Sequence, residues 1–476
     1  MSTSAGRIET DSLGTVEVPA GVLWGAQTAR SLQFFAIGDQ RMPLDLIHAM
    51  AWIKWAAALV HGELGLMPRP TAEAIADAAL RVADGQFDRE FPLSVWQTGS
   101  GTQSHMNVNE VIARLASQSL LARDAASMKV DAHDDVNRGQ SSNDVFPSAM
   151  HVAVAMRMKS GLLPALQQMN RALKAKALEF QGIVKVGRTH LQDATPLSLG
   201  QEFGGYAAQL DLCTAMLTPA LGLVHALALG GTAVGTGMNT HREFGARVAA
   251  RLAQRLDLPL VQANDLFAAL AGHEALVALH GVLHMLAIAL TKIANDIRLM
   301  GSGPRAGLAE LYLPANEPGS SFMPGKVNPT QVEALTMVCA QVIGHDAAIG
   351  FAASQGQFEL NVYKPLIALN VLDSLRLLTD AMASFSTHCV SHLRANVTRV
   401  RGQLQDSLML VTALVPHIGH ARSAQIARQA QAQNSSLREA ALALGMVSAE
   451  QFDSWVDVQG MLAPHELPGP ARGTGE

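Results

Sequence analysis

The stretch Ala275 to Thr291, ALVALHGVLHMLAIALT, is an uncharged and almost wholly apolar run. It is apolar around nearly the whole circumference of a helix, where a surface helix would keep a polar face. It is shorter than a comfortable membrane span. It therefore reads as a helix buried at the centre of a large bundle. His280 and His284 stand inside it at i, i+4 spacing. That spacing suits either a metal or two packed core histidines, and no third ligand lies nearby in sequence.

Other stretches repeat the pattern. Residues 145–180 carry Pro147 near their start and are interrupted further on only by Pro164, and residues 201–228 only by Pro219; residues 245–300 and 330–353 add further long helical patterns. Helices this apolar cannot be covered by one small bundle. The reading is a homo-oligomer whose core takes helices from several chains. Leu46, Met50, Ile53 and Ala57 also recur at helical spacing. Pro68-Arg69-Pro70 breaks that helix, and Thr71 reads as the N-cap of the next. Residues 1–45 read as an irregular cap, and the last hundred as shorter, more polar helices.

Composition agrees. Hydrophobic residues are 49% of 476 and charged residues only 16%, which excludes general disorder. Aromatics at 5%, with abundant Ala, Leu and Gly, favour packed helices over an all-β fold. A net charge of -5 argues against nucleic acid or a basic membrane patch as partner. Cys213, Cys339 and Cys389 are odd in number and lack CxxC spacing, so neither a zinc ribbon nor a disulfide framework fits. Three cysteines could ligate an iron–sulfur cluster, but Cys213 and Cys339 sit in apolar helical patterns and read as inert buried thiols. A reducing compartment follows. The N-terminus MSTSAGRIETDSLG has no apolar core of a secretory leader.

Four polar blocks interrupt the apolar helices: residues 96–111, 131–144, 187–201 and 301–329. In the last, Gly319-Ser320-Ser321-Phe322-Met323-Pro324-Gly325-Lys326-Val327-Asn328-Pro329 offers hydroxyls and unblocked backbone N–H groups of the kind that form an anion nest. Lys326 adds a fixed charge and Asn328 an amide donor, which suits a carboxylate or a developing oxyanion. The alternative is an ordinary long surface loop. His190, in Gly187-Arg188-Thr189-His190, is the group of its block suited to proton transfer near neutral pH, or else a structural histidine. Glu333 could orient it through a carboxylate hydrogen bond, or simply sit well in a helix's first turn. Ser100, Thr102, Asn107, Ser141, Ser142 and Asn143 supply hydroxyls and amides; Ser141-Ser142-Asn143-Asp144 also reads as N-capping. Four such blocks in one scaffold point to a shared site.

Taken together, GSSFMPGKVNPTQ (319–331), GRTHLQDATPL (187–197), TGSGTQ-x-x-MNVNE (98–110), DDVN-x-x-QSSNDVFP (134–147) and LALGGTAVGTGMNTH (227–241) resemble class II fumarate hydratase, within the aspartase/fumarase superfamily. The resemblance runs from Arg7 to about Met461. It implies a mainly α, three-domain fold: an N-terminal domain over 1–140, a central helical bundle over 141–366 and a small C-terminal helical domain over 367–463. The Pro/Gly-rich residues 464–476 read as a disordered tail. It implies a homotetramer with a twenty-helix core, sites shared between three chains, a small dicarboxylate substrate, no metal and no organic cofactor. A cytoplasmic location is expected.

Carried over, Ser320 matches the family's catalytic base, and His190, with Glu333, the group acting on the substrate hydroxyl. Ser100, Gly101, Thr102, Ser141, Ser142, Asn143, Thr189, Ser321, Lys326, Val327 and Asn328 match substrate-contacting positions. The family's second dicarboxylate site has an altered motif here, Asp131-Ala132-His133-Asp134. His105 replaces an Asn and, with His133, is expected to add imidazoles near the mouth. The expected reaction is the reversible anti hydration of fumarate to (S)-malate by general acid/base catalysis, as in the tricarboxylic acid cycle. The alternatives are a related C4-dicarboxylate lyase, such as aspartate ammonia-lyase, and a silent helical scaffold.

Overall fold

The computed structural model describes residues 6–122 and 129–464. The expected disordered tail lies, from residue 465 on, outside them. The chain is mainly helical and divides into two compact units. One comprises Met1–Ala165, Cys213–Ile288 and Met337–Asp380; the other comprises Leu166–Leu212, Ala289–Thr336 and Ala381–Glu476.

The first unit begins with a hairpin of β1 (Gly6–Asp11) and β2 (Gly14–Pro19). Helix α1 (Leu44–Glu63) follows, with Leu46, Met50, Ile53 and Ala57 all buried as their spacing requires. Helix α2 (Arg69–Ala83) starts directly after Pro68 and takes Pro70 into its first turn. Proline there loses no hydrogen bond, since the first N–H groups of a helix are unpaired anyway. Thr71 is thus a buried helical residue and not the expected N-cap. Helices α3 (Thr102–Leu121) and α4 (Ser142–Arg157) carry two of the polar blocks at their N-termini. A π-turn over Met158–Leu162 separates α4 from α5 (Leu163–Glu179).

In the second unit β3 (Val184–Thr189) and β4 (Gln192–Ser198) form an antiparallel hairpin. Five helices contribute residues to both units: α5, α6 (Leu199–Val224), α8 (Glu274–Met300), α9 (Thr330–Ala353) and α10 (Lys364–His388). Between them stands α7 (Phe244–Leu256). Residues 404–461 close around a small core of their own, with Leu414, Ile426 and Ala440 at its centre.

The Ala275–Thr291 stretch lies in α8, which continues for 27 residues through Lys292, Asp296 and Arg298. By length and composition α6, α8 and α9 could each cross a membrane. The uncharged run alone understated α8, because the helix starts at Glu274 and continues past Lys292 to Met300. Leu276, Leu279, Leu283, Leu286, Leu290 and Ile293 are buried, whereas Ile288 is exposed. On α6 and α9, Leu212, Met216, Met337 and Phe351 are exposed too. These helices are apolar all round but covered on one side only.

The third partner of the histidine pair, invisible in sequence, is Asp346. Its two carboxylate oxygens lie 2.8 Å from His280 Nδ1 and 2.9 Å from His284 Nδ1. His280 Nε2 meets Ser374 Oγ at 2.9 Å. Among the described residues, no group of three or more His, Cys, Asp or Glu is arranged to hold a metal.

Candidate active site

The His190 block is a two-residue hairpin turn between β3 and β4. His190 and Leu191 have φ of 58° and 60°. Two-residue turns that match strand twist need φ > 0 at both positions, usually supplied by Asn-Gly. Here two ordinary side chains adopt it, a strained conformation that persists only where the surroundings fix it.

The surroundings do fix it. Side chains alternate across a strand, so Lys185 and Arg188 should face opposite ways. The register shifts at Val186/Gly187, where Thr195 of β4 is the extra residue, and both side chains nonetheless reach one carboxylate. Gly187 is required there, since a Cβ would stand 2.4 Å from the Thr195 carbonyl oxygen. Arg188 Nη1 then lies 2.9 Å from Glu310 Oε1, and Lys185 Nζ lies 3.1 Å from Glu310 Oε2 and 2.8 Å from Glu202 Oε2. Glu310 is fully buried. This charge quartet anchors the strand that ends at Thr189 and His190. Sequence reading missed Glu310; its only signal is a lone acid in an otherwise apolar stretch after Gly307.

The Gly319–Pro329 loop is exposed over most of its length, with Phe322 88% accessible. Ser320 is half-buried, and its Oγ accepts hydrogen bonds from the N–H groups of Phe322 (3.1 Å) and Met323 (2.8 Å). The loop closes on itself: Asn328 Nδ2 donates to the Gly319 carbonyl, and Lys326 N donates to Met323 O at 3.3 Å. Gly319 has no room for a Cβ, which would stand 2.1 Å from Lys326 O. Ser321, Lys326 and Val327 are exposed. Among the described residues, the Lys326 ammonium has no partner. His190 and Glu333 are both exposed and share no hydrogen bond within one chain.

In the first unit, Gly101 has φ of 77° and sits so close to Phe146 that a Cβ would meet its ring at 2.2 Å. The turn aligns three hydroxyls, with Ser100 Oγ 2.9 Å from Thr102 Oγ1 and 3.3 Å from Thr98 Oγ1. Asn107 is buried and donates to the Glu90 carbonyl at 3.0 Å. At α4, Ser141 and Asp144 form a capping box, so the N-capping alternative holds for that pair. Asp144 is fully buried and also accepts from the N–H groups of Gly230 (3.0 Å) and Thr232 (3.1 Å). Burial pushes its carboxyl up to about 6, against the pull of those N–H donors. Asn143 Nδ2 donates to Ala233 O at 2.8 Å. Block 134–147 is thereby tied to block 227–241.

His105 is not at a mouth. It is fully buried, its Nδ1 lies 2.8 Å from Ser142 Oγ, and desolvation holds it well below the ordinary histidine range. Position 105 lies on the inward face of α3, which the sequence position alone did not disclose. His133 is exposed and meets Gln27 Nε2 at 2.6 Å. In the same π-turn (Ala132–Val136), Asp131 Oδ1 accepts from the N–H groups of His133 (2.7 Å) and Asp134 (2.9 Å).

A lyase family model matches residues 14–344, and a fumarase C C-terminal model matches residues 410–463. The class II fumarate hydratase of Chromobacterium violaceum is 57% identical over 460 residues, covering 97% of this chain and all of that one. This chain belongs to the class II fumarate hydratase family. The family member from Methylorubrum extorquens is likewise 57% identical, over 96% of this chain and 97% of its own. Among solved structures, the class II fumarase of Schistosoma mansoni superposes with a TM-score of 0.94 at 44% identity, covering 97% of this chain and all of that one. The mainly α fold of the family is therefore the fold of this chain.

Proposed function

We infer that this chain catalyses the reversible hydration of fumarate to malate. Its relatives of 57% identity bear the fumarate hydratase name across nearly their whole length. The observation that carries the mechanism is the Ser320 oxygen seated on two backbone N–H groups, 2.8 and 3.1 Å away.

A serine is a poor base at its free pKa. Two N–H donors stabilise its alkoxide. That alkoxide takes a proton from C3 of malate, and the electron pair enters the adjacent carboxylate as an aci-carboxylate. Lys326, which has no partner of its own, holds this added charge better than the ground state, which is where rate comes from. The C2–O bond then breaks, the double bond forms, and the hydroxyl leaves as water with a proton from the His190 side. A base and an acid on opposite faces give anti elimination from (S)-malate. Loop closure precedes chemistry, because Lys326 and Phe322 are exposed in the open loop.

We further propose a homotetramer with each site shared by three chains. The exposed apolar faces of α6, α8 and α9 support it, since water-exposed patches of this kind mark interfaces. Lipid is a poorer partner, because α8 carries Lys292, Asp296 and Arg298. In that assembly Glu333 of one chain orients His190 of another. The turn at 131–134 holds no second dicarboxylate, because Asp131 already occupies the two N–H groups an anion would need. Three free buried cysteines fit a cytoplasmic location.

The test is the ultraviolet absorbance of fumarate, with malate and aspartate supplied in parallel. Fumarate from malate alone is expected. Fumarate from aspartate alone would replace this reading with an ammonia-lyase, and silence with both would leave the scaffold.

A further inference from the structure

The substrate-contacting positions of the first unit come from two blocks, and one buried side chain joins them. His105 lies in the first turn of α3, where its N–H donates to the Gly101 carbonyl at 3.0 Å. Its imidazole reaches across to α4, with Nδ1 2.8 Å from Ser142 Oγ. That is the only hydrogen bond the ring makes among the described residues; Nε2 is buried without a partner. His105 is fully buried within one chain, so no neighbouring copy touches the ring.

Packing alone does not account for an imidazole here. Desolvation, with the Lys54 charge adding to it, keeps the ring neutral. One ring nitrogen stays unmet, and an unmet buried polar atom lowers stability. A leucine would fill much the same space without that loss. What the imidazole adds is a directional tie to α4. Ser142 is the first residue of that helix, between Ser141, whose Oγ accepts from the Asn143 N–H at 3.2 Å, and Asn143, whose side chain is bonded to Ala233. The segment before it is held from α1, where the fully buried Lys54 donates to Asn137 Oδ1 at 3.0 Å and to Gln140 Oε1 at 2.9 Å. Phe146 of α4 also packs on Gly101, but an apolar contact does not fix the rotation of a helix about its axis. The His105–Ser142 bond does.

We propose that His105 is a positioning residue: it pins Ser142, and so holds the donors of block 141–143 at a fixed spacing and angle from the hydroxyls of block 100–102. The proposal rests on the reading of both blocks as substrate contacts. A dicarboxylate held by both at once is sensitive to a shift of about 1 Å between them, because every bond that spans the pair weakens together. Ser320 and His190 belong to the second unit. The pin therefore governs how the substrate is held and not the proton transfers. Its loss weakens the ground state and the transition state alike, which raises KM and leaves kcat.

The experiment measures KM and kcat for malate, beside thermal melting, in variants of the full-length protein. His105→Leu should raise KM about tenfold or more and leave kcat within about threefold. His105→Asn puts an amide nitrogen where Nδ1 stands and should bring KM back to within about threefold of the native value. Ser142→Ala removes the same bond from its other end with little change in volume, so it carries the test if the leucine variant does not fold. It should raise KM as His105→Leu does, and the double variant should rise no further than the worse single one. A rise in Ser142→Ala with none in His105→Leu, effects that multiply in the double variant, or a fall in kcat alone would each overturn the proposal. Thr102→Val separates that failure from failure of the reading beneath it. A raised KM there with unmoved pin variants sinks the pin alone; an unchanged KM there shows that the blocks do not hold substrate, and the proposal falls with them.

Discussion

The His190 hairpin and the Ser320 loop are the two polar segments of the second unit, and they are held in different ways. The hairpin is fixed from beneath by Lys185, Arg188, Glu202 and Glu310, and it keeps two side chains at positive φ. The loop has no such anchor; its hydrogen bonds run within the loop itself, and most of it is exposed. The contrast separates two kinds of preorganisation. The hairpin spends folding energy to aim an imidazole. The loop prepares one oxygen locally and leaves its remaining groups to be placed on closure.

Ser320→Ala should separate the two segments most sharply. It deletes a hydroxyl from an open loop, so turnover should fall by at least about a thousandfold, while thermal melting stays within about one degree. Glu310→Gln should do the reverse. It leaves Lys185 and Arg188 short of a buried counter-charge, with an expected cost of about 3–5 kcal/mol in denaturant unfolding. Turnover measured on the folded fraction should fall as well, because the strand that aims His190 loses its anchor.

Acid should act on the frame of the first unit before either segment. Burial holds His151 down at about 4 and His273 at about 3. Below the ordinary histidine value of 6.5 the unfolded chain takes up protons that the folded chain refuses. Stability is therefore complete above pH 6.5 and is lost as pH falls, by about 1.4 kcal/mol per pH unit for each imidazole. Asp144, raised to about 6, opposes this between its unfolded value of 3.8 and 6 and offsets one share. Urea unfolding at pH 7 and pH 5 should show the net loss; equal midpoints would remove the histidines as its cause. The smallest effect belongs to Leu191→Gly. Glycine adopts φ > 0 freely, so the variant should gain up to about 1 kcal/mol and keep its turnover.

The sequence disclosed the helices and blocks because both are local. Leu46, Met50, Ile53 and Ala57 declare a buried face by spacing alone. Ser320 and His190 stand out as candidates by the glycines and turn residues around them. What stayed hidden depends on partners far along the chain. Asp346 closes on a histidine pair more than sixty residues away, and Glu310 supports a hairpin more than a hundred residues before it. The inward turn of His105 and the early start of α2 depend on helix phase and on the tolerance of a first turn for proline. Neither is fixed by residue type.

The central claim is that Ser320 removes the C3 proton of malate and His190 serves the hydroxyl at C2. Its most direct test is the exchange of that proton with deuterated water, followed by NMR beside fumarate formation, in Ser320→Ala and His190→Asn. The account predicts no exchange in Ser320→Ala. In His190→Asn it predicts exchange that outpaces a slowed fumarate formation. Exchange that survives in Ser320→Ala and vanishes in His190→Asn would contradict it and make His190 the base.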